Sequence, residues 1–106
     1  MTGYCFAIFE TAIGSCGIVW GARGVNGVQL PMGSEAKTRS RIVQRYGDLV
    51  EAPPPSEVQH AIEGIVDLLE GLEGAPTQAQ IDAAIRSSLV KASDLDIQTE
   101  FAGQKP

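Results

Sequence analysis

The chain has 106 residues, a formal net charge of −5 and a pI of about 4.7, with 43% apolar and 20% charged residues. A chain of this length forms one domain and buries roughly two-thirds of the surface its unfolded form exposes, enough for a core without staples. The ordinary apolar and charged fractions exclude disorder as the default, the acidic balance excludes nucleic-acid binding by bulk charge, and no apolar run is long enough to cross a bilayer.

The start MTGYCF has neither the basic residues nor the long apolar stretch of a signal peptide, which predicts a cytoplasmic chain. From Tyr4 to Thr11 the residues are aromatic and β-branched, as in a strand. A turn around Ala12, Ile13 and Gly14 leads to a second strand, Cys16 to Trp20. The stretch GARG then turns the chain into a third strand, Val25 to Leu30, closed by Pro31. Connections this short join neighbouring strands antiparallel and predict a meander.

At Ser34 the period changes. Ser34 suits an N-cap and Gly47 a stop, and Ala36, Arg39 or Ser40, Val43 and Tyr46 follow helical spacing between them. Four of the eight basic residues, Lys37, Arg39, Arg41 and Arg45, lie in this segment. They read either as a solvated helix face or as a contact patch for a phosphate backbone or an acidic partner.

Pro53, Pro54 and Pro55 form a stiff connector. Ser56 and Gln59 then have the spacing of a capping box. Behind them Val58, Ala61, Ile62, Ile65, Leu69 and Leu72 form an apolar stripe able to cover one face of a small sheet. Glu57, Glu63, Asp67, Glu70 and Glu73 fall mostly off that stripe, on its solvated side, and make no catalytic carboxylate pair. A second capping-box pattern, Thr77 with Gln80, opens a third helix with Ile81, Ala84, Ile85 and Leu89 on one face, extending to about Val90. The residues 91–106 read as a polar tail or a linker, so the domain is set at 1–90.

No catalytic constellation is visible. A reactive thiolate needs a cation, a histidine or a helix N-terminus beside it, and Cys5 and Cys16 are on predicted strands without one. With Thr11 placed opposite Ser15, Cys16 faces Glu10 and Cys5 faces Gly21, too far apart for a disulfide. His60, the only histidine, reads as a surface or boundary residue on the long helix. Cys5, Cys16 and His60 could in principle ligate zinc, but they lack its spacing and a fourth partner. The glycines of GARGVNG lie between strands and make no phosphate loop.

The order FETAIGSCGIVWGARGVNGVQLP, SEAKTRSRIVQRYG, EAPPPSEVQHAIEGIVDLLEG resembles the N-terminal domain of methylated-DNA–protein-cysteine methyltransferases, the proteins that repair O6-alkylguanine. Thr11, Ala12, Ile13 and Gly14 fit that family's T-P-[IL]-G turn with alanine in place of proline. Gly27 to Leu30 fit the close of its third strand, and the similarity covers about residues 4–74. The resemblance implies an α+β, ribonuclease-H-like fold: a small antiparallel three-stranded meander with two or three helices packed on it. It also implies that the methyl acceptor, the cysteine of a Pro-Cys-His-Arg motif, sits in a separate catalytic domain that flips the damaged base. This chain has no such motif, so neither Cys5 nor Cys16 inherits the role. No catalytic, cofactor or metal residue is expected here, and Cys16 reads as a small strand residue.

Two functions follow as expectations. The chain is a non-catalytic domain supporting a catalytic alkyltransferase domain in cis or in trans, with DNA contacted only indirectly and no membrane partner. Alternatively, it is a stand-alone interaction or regulatory module derived from that domain, with its third helix covering the face a catalytic domain would otherwise occupy.

Overall fold

Three strands joined by two-residue turns lead the chain: β1 (Tyr4–Thr11), β2 (Gly14–Gly21) and β3 (Gly24–Gln29). They belong to a computed structural model that describes residues 4–47, 49–73, 76–88 and 92–98. Gly14 and Gly24, the residues that close the two turns, take φ of 125° and 102°, which glycine adopts without a β-carbon clash. There follow α1 (Glu35–Tyr46), β4 (Leu49–Glu51), α2 (Ser56–Gly71), α3 (Gln78–Ser87) and β5 (Ala92–Gln98). Among the described residues the fold is α+β, with three helices and a five-stranded mixed sheet of order β4-β1-β2-β3-β5.

The antiparallel meander predicted from the sequence forms the centre of this sheet rather than the whole of it. Both outer strands pair in parallel, β4 with β1 and β5 with β3. The segment from 92 to 98 is thus a strand where the sequence predicts a tail. Its register with β3 shifts between Val25 and Gly27, and Ile97 comes opposite Val28 on the buried face.

The predicted ladder is off by one residue. Thr11 pairs with Gly14 rather than Ser15, so Cys16 lies opposite Phe9 and Cys5 opposite Trp20. The Thr11 hydroxyl causes the shorter turn: it donates to the Gly14 carbonyl (2.8 Å) and accepts from the Ile13 N–H (3.2 Å). The cysteines remain rows apart, and both are free.

Alternation divides the sheet into two faces. On one face Ala7, Cys16, Ile18, Trp20, Val28, Leu30 and Ile97 meet Val58, Ala61, Ile62, Ile65 and Leu69 of α2 and Ile81 and Ile85 of α3. The apolar stripe of α2 therefore lies where its spacing puts it, and each fully buried isoleucine contributes about 1.5–3 kcal/mol. On the other face Phe6 and Val19 meet Ile42 of α1, flanked by Tyr4, Ile8, Tyr46 and Leu49.

That second contact sets the inner face of α1. Thr38 and Ile42 are its buried residues, whereas Ala36, Ser40 and Val43 face solvent. A polar threonine turns inward because it is fully bonded there: its hydroxyl donates to the Ser15 carbonyl (2.9 Å) and accepts from the Met32 N–H (3.1 Å).

The helix starts follow their caps unevenly. Ser34 Oγ accepts from the Lys37 N–H (3.2 Å), and Thr77 with Gln80 forms both halves of a capping box (3.1 and 2.8 Å). Ser56, by contrast, is already helical, the N-cap is Pro55, and no side chain caps α2.

Candidate interaction surface

On α1 the positions of Lys37, Arg41 and Arg45, four residues apart, share one side, while Arg39 lies on another. The four do not form one patch. Arg39 grips Glu51 of β4 with Nε (2.9 Å) and Nη2 (3.0 Å) and also reaches Glu35 (2.8 Å). Hydrogen bonds to Glu51 and Glu35 raise the pKa of its guanidinium still further. Arg45 pairs with Asp96 of β5, lies 3.4 Å from Gln29 Oε1, and stacks over the Tyr46 ring at 5.1 Å. Lys37 remains exposed, and the Arg41 Nε is buried without a hydrogen-bond partner.

The partners that use up two of these charges come from strands that sequence reasoning missed. Glu51 is in the three-residue β4 and Asp96 is in β5. Tyr46 adds a hydrogen bond from its hydroxyl to Asp96 Oδ2 (3.1 Å). Its phenol pKa is pushed up to about 12, first by burial, with the Asp96 carboxylate adding to the rise and Arg45 opposing it.

Cys16 is closed to thiolate chemistry. Cys16 is fully buried and its thiol pKa is pushed up to about 12, chiefly by burial, against a weak contact with Thr11 Oγ1 at 3.7 Å. Neither that hydroxyl nor the nearby Glu10 supplies the positive charge a thiolate needs. Cys5 is half-buried, and His60 is exposed on α2. Among the described residues no group of three His, Cys, Asp or Glu side chains is placed to hold a metal ion.

An open cleft of about 450 Å³ lies between α3 and β5, lined by Gln78, Ala79, Asp82, Leu95 and Ile97. The first turn of α3 reaches the strand through Gln78 Nε2, which donates to the Ile97 carbonyl (2.9 Å). Asp82 is held by Arg86 one turn on (2.5 Å). The period-2 run Asp94, Leu95, Asp96, Ile97 is the sequence signal that marks this strand.

The chain matches no model of a known protein family and no curated protein sequence. Among the described residues, no helix is long and apolar enough to cross a membrane.

Proposed function

We propose that this chain is the N-terminal, non-catalytic domain of a methylated-DNA–protein-cysteine methyltransferase, a ribonuclease-H-like module supporting a catalytic domain. The observation that carries this reading is the run of matching residues from Tyr4 to about residue 74, with its TAIG turn. The antiparallel β1-β2-β3 meander followed by α1 and α2 is the order of elements that resemblance implies. The burial of Cys16 fits a domain whose acceptor cysteine lies elsewhere, and the two free thiols suit a cytoplasmic protein.

In this reading the domain touches DNA only through its partner. Arg39 and Arg45 support that division, because their charges are already met by Glu51, Glu35 and Asp96. Replacing Lys37, Arg39, Arg41 and Arg45 by alanine leaves the DNA affinity of the whole protein unchanged.

Two measurements test the proposal. The gene beyond the Pro106 codon is expected to run on in frame to a Pro-Cys-His-Arg motif, or such a catalytic domain is expected to bind this chain in trans. Mass spectrometry after incubation with O6-methylguanine DNA is expected to find neither Cys5 nor Cys16 methylated. Methyl uptake by either cysteine overturns the reading.

A second reading, a stand-alone interaction module, is favoured by α3. Ile81 and Ile85 are fully buried against α2 and the sheet, so this face is already covered by the chain's own helix. A folded monomer that ignores an added alkyltransferase catalytic domain would favour this second reading.

A further inference from the structure

We propose that the outer edge of β5, with the cleft beside α3, receives an extended segment of a partner protein as a sixth strand, one whose alternate side chains are apolar and basic. The surface is defined by α3 and β5 alone and holds whichever whole protein this domain serves.

β5 ends the sheet, and among the described residues it pairs only with β3. The direction of its peptide groups follows from two contacts. A β-carbon placed on Gly27 would lie 2.8 Å from the Asp96 carbonyl oxygen, so that carbonyl faces β3. Successive residues of a strand turn their peptide groups to opposite edges, so Ile97 points its own outward. There it meets Gln78 Nε2 at 2.9 Å. A glutamine amide thus stands where the N–H of a further strand would donate.

The two faces beside this edge set the chemistry of the added strand. On the α3 side the cleft lined by Leu95, Ile97, Ala79 and Asp82 takes every second side chain, and Leu95 and Ile97 favour apolar ones. On the α1 side the Asp96 side chain is 55% exposed. The hydrogen bonds from Arg45 and Tyr46 both fall on its Oδ2, which leaves Oδ1 to accept from a lysine or arginine. The strand ASDLDIQ carries two aspartates and no basic residue, so it lacks the lysine that commonly blunts an edge.

A second copy of this chain is the poorer occupant. Antiparallel self-pairing of Ile97 with Leu95 would set Asp96 directly opposite Asp96, and like charges so placed repel. A basic residue at that position replaces the repulsion with an ion pair.

The test is an NMR titration of the full, ¹⁵N-labelled chain with an acetylated, amidated peptide alternating lysine and valine, against a control alternating glutamate and valine. The expected result is shifts at Leu95–Gln98 and in the first turns of α3, with the Ile97 amide newly protected from exchange. The glutamate peptide binds at least about tenfold more weakly. Gln78→Ala frees the Ile97 carbonyl and tightens lysine-peptide binding. Gln78→Glu, which cannot donate to it and adds negative charge, tightens it further. No shifts at saturation, shifts centred elsewhere, equal binding of the two peptides, or dimerisation of the free chain through β5 would each overturn the proposal.

Discussion

The hydroxyl of Tyr46 on α1 lies against Gly27 on β3, in the space a β-carbon would occupy. Gly17 stands in the same relation to Ile42. At Gly17 and Gly27 the sheet carries no side chain, and that lets Tyr46 reach Asp96 while Ile42 packs against Phe6 and Val19.

Gly27→Ala therefore destabilises the protein by about 1–3 kcal/mol, because the Asp96 carbonyl 2.8 Å from the new methyl is backbone and cannot swing aside. A β-carbon added to Gly71, in the last turn of α2, would point into open space, and Gly71→Ala stabilises by up to about 1 kcal/mol. Urea unfolding of the two variants checks both signs.

If α3 belongs to the core, truncating it is costly. Ile81→Ala and Ile85→Ala are each expected to lose about 2–5 kcal/mol, as fully buried aliphatic side chains do. A loss below about 1 kcal/mol in denaturant titration would show α3 to be peripheral.

The two capping-box patterns give opposite outcomes. Thr77→Ala removes a bond that is made and costs about 1 kcal/mol. Ser56→Ala removes none and is neutral or slightly stabilising, since alanine is the better helix former. The shift in Tm separates the pair.

Cys16 links stability to alkaline pH. Its folded pKa, about 12, lies above the ordinary value of 9, so the neutral thiol is the form the fold favours. The contribution is fully present below pH 9 and is lost as the pH rises from about 9 to about 12. The denaturant midpoint is expected to fall across that window, and Cys16→Ala is expected to fall less. At pH 8, a thiol reagent should modify Cys5 before Cys16.

The meander, the stripe of α2 and the caps at Ser34 and Thr77 are legible in the sequence because each depends on residues within one or two turns of one another. The places of β4 and β5 in the sheet are not, even with the alternation at 94–97, since their pairing partners lie in distant segments: Val50 beside Cys5 and Ile97 beside Val28. The inward face of α1 is not legible either, because apolarity marks Ala36 and Val43, whereas Thr38 turns inward on the strength of two hydrogen bonds. The same distance hides the fate of the basic residues. Nothing near Arg39 or Arg45 in the chain announces Glu51 or Asp96, and the cleft beside α3 exists only once β5 is in place.

The parallel pairing at both rims of the sheet also bears on how the chain folds. The β1-β2-β3 meander closes only short loops, but β5 must find β3 after four intervening elements have formed or been bypassed, and loop closure of that length costs entropy before any contact repays it. On that ground the three-stranded centre is expected to form first and β5 to be laid down late. Until then the outer backbone of β3 stands uncovered, open during synthesis to pairing with a neighbouring chain.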